Sequence, residues 1–112
     1  MPYLKIQTTA EVKDKQELLK KLSSTASGGI GKPETYIMTA FSSVEAMSFG
    51  GSSEPAVFIE CKSIGLKEEQ TSGLSALLCS FCKVELNVPE NRVYIEFSSA
   101  KGVMWGWDSR TF

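Results

Sequence analysis

Apolar and polar residues alternate from Pro2 to Thr8 (PYLKIQT), and the run is rich in strand formers. That pattern predicts a strand at the very start of the chain. The period then lengthens. Asp14 with Glu17 reads as a helix start, and Leu18, Leu19, Leu22 and Ala26 recur at helical spacing. Gly28-Gly29 is expected to end that helix. Residues 36–41 (YIMTAF) predict a second strand, 47–51 (MSFGG) a turn or short hairpin, and 56–61 (AVFIEC) a third strand. Gly65 is expected to open a second helix whose apolar stripe is Leu74, Leu77, Leu78, Phe81 and Leu86. Residues 93–97 (VYIEF) predict a fourth strand and 103–107 a short terminal one.

The order is strand–helix–strand, twice. Pro33-Glu34 comes just before one second strand, and Pro89-Glu90 just before the other. The two prolines stand half the 112-residue chain apart, as a duplicated unit requires. Crossovers through helices imply parallel pairing within each unit. The expected fold is therefore α+β: a tandem β-α-β repeat forming one four-stranded mixed sheet, with two helices on one face. Residues 1–112 make a single domain. Apolar positions on both sides of the strands predict that oligomerisation covers the other face.

Composition narrows the chemistry. The chain carries a formal net charge of -1, which argues against a general electrostatic grip on nucleic acid. No apolar run reaches the ~18–20 residues of a membrane span, and no signal peptide is readable. A cytoplasmic protein is the default expectation; non-classical secretion leaves no trace in a sequence. There are three cysteines and no histidine. That set does not complete a standard zinc site, and histidine-based triads are excluded. No metal or other cofactor is expected. Acid–base chemistry falls to carboxylates, Lys, Tyr, Cys or the N-terminus.

The N-terminus offers an unusual base. Proline behind Met1 permits removal of the methionine, which leaves Pro2 as a free secondary amine with a rigid direction. An α-amino group titrates near ~7.7–8.0. Apolar burial or a neighbouring cation lowers that value, and a base poised near neutrality suits proton abstraction beside a carbonyl. Met-Pro starts are common, so position 2 alone carries little weight.

The remaining segments supply a context for Pro2. Met47 to Pro55 reads M-S-F-G-G-S-S-E-P; Gly31-Lys32-Pro33, Ser63-Ile64-Gly65, Leu77-Leu78-Cys79, Arg92-Val93-Tyr94-Ile95, Gly106-Trp107 and Thr111-Phe112 follow in order. With the proline, the chain resembles the macrophage migration inhibitory factor family, within the tautomerase superfamily of proteins with a catalytic N-terminal proline. The resemblance runs along nearly the whole chain. It implies a homotrimer whose sheets form a central barrel, with active sites at subunit interfaces. The implied activity is cofactor-free keto–enol tautomerisation of phenylpyruvate-type and dopachrome-type substrates, so the implied partner is a small aromatic α-keto acid.

Residue by residue, the resemblance makes Pro2 the catalytic base and Lys32 the holder of the substrate carboxylate. Ile64 offers a backbone amide to substrate, and Tyr94 comes from the neighbouring subunit. Trp107 and Phe112 stand at the pocket rim. Each has a plainer reading: a surface lysine after a glycine loop, a half-buried strand tyrosine, tail aromatics packed on the sheet. Two residues depart from the family pattern. Glu96 stands where animal members have asparagine, adding negative charge near the pocket, and Trp105 replaces a valine at its mouth. Both put dopachrome activity in doubt.

Other motifs recede. The CxxC that animal members carry after S-S-E-P is absent, since Ala56-Val57-Phe58-Ile59 stands there. Cys79-Ser80-Phe81-Cys82 lies mid-helix among apolar residues and reads as structural thiols. Gly29-Ile30-Gly31-Lys32 lacks the glycine at 26 and the Ser or Thr at 33 of a phosphate loop. A cytokine-like, receptor-binding factor with a vestigial site is the alternative function. Hydrolysis or decarboxylation ranks below both, since Arg92 and Arg110 are the only arginines.

Overall fold

Asp14 starts the first helix as its spacing predicts: its carboxylate accepts the Glu17 amide at 3.0 Å. The computed structural model describes residues 1–112. In chain order it contains β1 (Tyr3–Thr8), α1 (Lys15–Ile30), β2 (Met38–Ser43), β3 (Val57–Ile64), α2 (Glu68–Leu86), β4 (Val93–Ala100), β5 (Gly106–Trp107) and β6 (Arg110–Thr111). The main sheet has the order β2-β1-β3-β4. β1 and β2 are parallel, as are β3 and β4, while β1 and β3 run antiparallel. Two β-α-β units thus meet along their first strands.

The repeat is visible in its turns. Pro33 and Pro89 each precede a single 3₁₀ turn, Glu34–Tyr36 and Glu90–Arg92. In each, the proline carbonyl accepts the third following amide, at 3.1 Å from Tyr36 and 2.9 Å from Arg92. Tyr36 and Arg92 are therefore the structural equivalents, and Tyr94 stands further along its strand. The turn also moves the start of β2 from the expected residue 36 to Met38.

The core lies between the sheet and the helices. Leu4, Ile6, Val57, Ile59 and Cys61 meet Leu18, Leu22, Ala26 and Ile30 of α1, and Leu74, Leu78, Phe81, Cys82 and Leu86 of α2. Burying one such side chain stabilises by ~1.5–3 kcal/mol. Leu19 and Leu77 sit at the margin of the stripes that spacing assigned to them. On the outer face, apolar Tyr3, Phe58, Ile64, Tyr94 and Met38 alternate in space with Lys5, Gln7, Glu60, Lys62 and Glu96. The expected apolar second face is thus a mixed one.

Other boundaries also differ from expectation. Gly28-Gly29 does not end α1. A Cβ at Gly29 would stand 2.5 Å from Leu77 Cδ2, so that position holds a close crossing of the two helices. The left-handed end is Gly31, at φ 80°, whose amide donates to the Ser27 carbonyl. Likewise α2 begins at Glu68, because Gly65 turns at φ 66° and Gln70 accepts the Lys67 amide at 3.0 Å. β3 and β4 each outrun their apolar runs, continuing through Ser63↔Ser99 and Ile64↔Ala100. The tail is a 3₁₀ turn, Gly102–Met104, followed by the β5–β6 hairpin. Asp108 and Ser109 hold the left-handed backbone of that tight turn, at φ 51° and 62°. The expected turn at 47–51 is present, with Phe49 bridged to Ser52.

The thiols belong to this core. Burial pushes Cys61 up to about 11. Burial, with the adjacent Cys79 thiol, pushes Cys82 up to about 12. Cys79 is raised too, by burial and then by the charge of Glu90, against a hydrogen bond from Ser75. None is poised as a nucleophile.

Two outcomes follow. Gly31→Ala strains a left-handed cap and destabilises by about 1 kcal/mol, whereas Gly28→Ala, with open space around it, stabilises by up to ~1 kcal/mol. Opposite shifts in urea midpoint check this; shifts of the same sign contradict the cap assignment. In thiol labelling of the native protein at pH 8, Cys61 and Cys82 remain unmodified until denaturant is added, because roughly one thiol in a thousand or fewer is ionised there.

Candidate active site

Pro2 sits at the head of β1, a central strand. Its ring is almost fully buried. Its carbonyl accepts the Met38 amide at 3.0 Å, which joins it to the ladder of β2. The sheet therefore fixes the chain terminus in place. Beside it opens a cavity of about 420 Å³, lined by Met1, Pro2, Tyr3, Thr35, Tyr36, Ile37, Met38, Lys62, Trp105, Gly106, Trp107 and Phe112. No Asp or Glu side chain lines it, and Lys62 is its one charged side chain.

The mouth is aromatic. The rings of Trp107 and Phe112 stack at 5.6 Å, and Tyr36 meets both edge-on at 6.0 and 6.2 Å. Arg110 lies over the outer Trp107 ring at 5.0 Å. The tail hairpin builds this wall: the Phe112 amide donates to the Trp105 carbonyl at 3.2 Å and closes the last residue onto the cavity.

The terminal amine, borne by Met1, is held below its ordinary value. Burial is the larger cause and the positive charge of Lys32 the smaller. Lys32 follows the Gly31 cap, and its carbonyl accepts the Ser27 hydroxyl at 2.6 Å. The end of α1 thus aims a cation at the terminus. Its ammonium makes no ion pair.

Of the residues expected from sequence, Pro2, Trp105, Trp107 and Phe112 share the cavity, and Lys32 acts on it through charge. Ile64 lies at the same end of the sheet but outside the wall. Tyr94 and Glu96 are elsewhere, on the outer face of β4, with β3 between them and β1. Tyr94 is 62% exposed and packs on Phe49, with ring centroids 4.5 Å apart. One chain therefore does not bring the whole expected set together. Sequence reading missed Tyr36 and Lys62. Tyr36 follows a turn whose geometry spacing did not reveal. Lys62 enters through the antiparallel register Tyr3↔Lys62, which no local pattern encodes.

A second cluster surrounds Tyr94. Arg92 donates to the carbonyls of Pro55, Phe49, Ser52 and Glu54 at 2.8–3.2 Å. Its guanidinium also lies 5.3 Å from the Phe49 ring. That clamp fixes the 49–55 loop and, through Phe49, the ring of Tyr94. No three His, Cys, Asp or Glu side chains stand close enough to hold a metal ion.

Comparison with known proteins agrees with this architecture. The family model for macrophage migration inhibitory factor matches residues 1–112. The homolog from Brugia malayi is 33% identical over 114 aligned positions, covering 100% of this chain and 99% of its own. The factor from Xenopus tropicalis is 35% identical, over 85% of this chain and 84% of its own. The solved structure of the homologue from Prochlorococcus marinus superposes with a TM-score of 0.91 at 38% identity, over 98% of each chain. A whole-chain family match and a superposition that retains both β-α-β units place this protein in the macrophage migration inhibitory factor family.

Proposed function

We propose that this protein is a cofactor-independent keto–enol tautomerase of phenylpyruvate-type acids, with Pro2 as the base after Met1 is removed. The observation that carries the reading is the terminus itself: a buried proline, held by the sheet beside an aromatic-walled cavity, where burial and Lys32 keep the terminal amine toward its neutral form. A neutral amine accepts a proton and an ammonium does not. An aromatic wall suits an aryl side chain, and Lys32 suits a carboxylate.

In this mechanism Lys32 attracts the carboxylate of the 2-oxo acid. The Pro2 nitrogen takes a proton from the carbon beside the carbonyl. The electron pair of that C–H bond becomes the enol double bond, and the carbonyl oxygen gains negative charge. The prolinium then returns its proton to that oxygen. The reverse sequence ketonises the enol. Sheltered donors stabilise the developing oxyanion.

A trimer completes the site. The mixed outer sheet face, with an exposed Tyr94 far from the cavity of its own chain, fits a surface covered by further copies. Each cavity then receives Tyr94 and Glu96 from a neighbouring copy and lies close to an Ile64 amide. Trp105 narrows the mouth, so the single ring of phenylpyruvate is favoured over the fused rings of dopachrome. No helix is long and apolar enough to cross a membrane, and the cytoplasm is the compartment we assign.

The test is the ketonisation rate of enol-phenylpyruvate by mature protein, Pro2→Gly, and a form that retains Met1. Pro2→Gly loses at least ~100-fold in kcat/KM, the low end of general-base contributions, and the Met1 form is inactive because an amide nitrogen is no base. Retained activity in either defeats the mechanism. A folded mature protein with no activity moves the function to a protein-binding, cytokine-like role.

A further inference from the structure

We propose that Lys62 is a second anion-holding residue of the Pro2 cavity, so that the preferred substrate is an aromatic 2-oxo acid bearing a second anionic group. The proposal deepens the tautomerase reading and rests on it for the 2-oxo acid, though not for the second anion.

The sheet puts Lys62 where it is needed. β3 pairs antiparallel with β1, and Lys62 is the register partner of Tyr3, the residue after Pro2. Its side chain leaves on the outer face and lines the same cavity as the proline. Every other lining side chain is uncharged. An ammonium on a largely aromatic and apolar wall, with its one carboxylate partner outside the lining, favours an anion.

Lys62 has one ionic partner, Glu60, at 3.4 Å, with side chains 43% and 25% exposed. A partly exposed pair of this kind contributes little and does not pin the ammonium. Glu60 is also the register partner of Lys5 across the β1–β3 ladder. When Lys62 turns to a ligand, Glu60 still faces a cation on the same sheet face. The flexible four-carbon stem of lysine makes that exchange feasible without moving backbone.

The two cations have separate tasks. Lys32 is the charge that acts on the terminal amine, and Lys62 is not among the groups that shift it. Under the tautomerase reading Lys32 takes the reacting carboxylate, and Lys62, on the wall that β3 builds, takes the second anion. A cavity of about 420 Å³ lies within the usual range for small-molecule sites. The ligand these features select has a carboxylate toward Lys32, a ring against Tyr36, Trp107 and Phe112, and a second anion toward Lys62.

Binding of two unreactive probes tests this apart from turnover. 3-Phenylpropanoate carries one carboxylate, and 3-(4-carboxyphenyl)propanoate carries two. Calorimetry on the mature protein is expected to show the dicarboxylate binding about tenfold more tightly, the scale of one added charge-assisted hydrogen bond. In Lys62→Met the ratio falls to about one, and Lys62→Arg restores most of it. Circular dichroism confirms that both variants are folded. A ratio near one in the unaltered protein, a ratio unchanged in Lys62→Met, or no binding of either probe overturns the proposal. A preserved ratio pattern in a protein without tautomerase activity upholds the second anion site while refuting the Pro2 chemistry.

Discussion

The hydrogen-bond ladder on both sides of β1 is the constraint on which the site depends. A chain terminus is ordinarily free to fray. Here the first strand begins at Tyr3 and lies between a parallel and an antiparallel neighbour, so its leading residue inherits the rigidity of the sheet centre. Leu4 and Ile6 anchor it to the core, each with no exposed surface. Pro2 projects from the end of that strand with its carbonyl already bonded to Met38. The Pro2 nitrogen therefore has a fixed place, set by backbone rather than by a mobile side chain.

Around that fixed point the chain gathers charge and aromatic surface from remote segments. α1 ends at Gly31 and delivers Lys32 beside the terminus. The antiparallel β1–β3 pairing delivers Lys62 to the wall. The tail returns through a tight hairpin to lay Trp107 and Phe112 against Tyr36. Burial and a nearby cation act in the same direction on an amine, both favouring the neutral form. The family relationship supplies the frame around that point.

Much of this was legible in the sequence, for identifiable reasons. The alternation from Pro2 to Thr8, the Asp14 cap and the helical spacing of Leu18, Leu22 and Ala26 are local signals, and all reappear. The Pro33 and Pro89 echo proved to mark two equivalent turns. What was not legible depends on contact between distant segments. Gly29 reads locally as a helix breaker, yet lies inside α1 because α2 passes close to it. Lys62 reads as an ordinary strand lysine until the β1–β3 register is known. Asp108-Ser109 lacks glycine, so its left-handed turn was hidden, and the tail was read as a strand. Tyr94 and Glu96 were expected near Pro2; one chain keeps them on the far side of β3.

The central claim is that the sheet and Lys32 hold the Pro2 nitrogen neutral near physiological pH. The most direct test is a ¹⁵N NMR titration of that nitrogen in mature protein and in Lys32→Met. The account predicts titration below the ordinary ~7.7–8.0 of an α-amino group. The neutral base then persists to lower pH and is lost only as pH falls through the depressed value. In Lys32→Met the value is expected to rise yet stay below ordinary, because at the Met1 amine burial is the larger cause and Lys32 the smaller, and Pro2 is the more buried residue. A Pro2 nitrogen that titrates at or above the ordinary value in the mature protein contradicts the account.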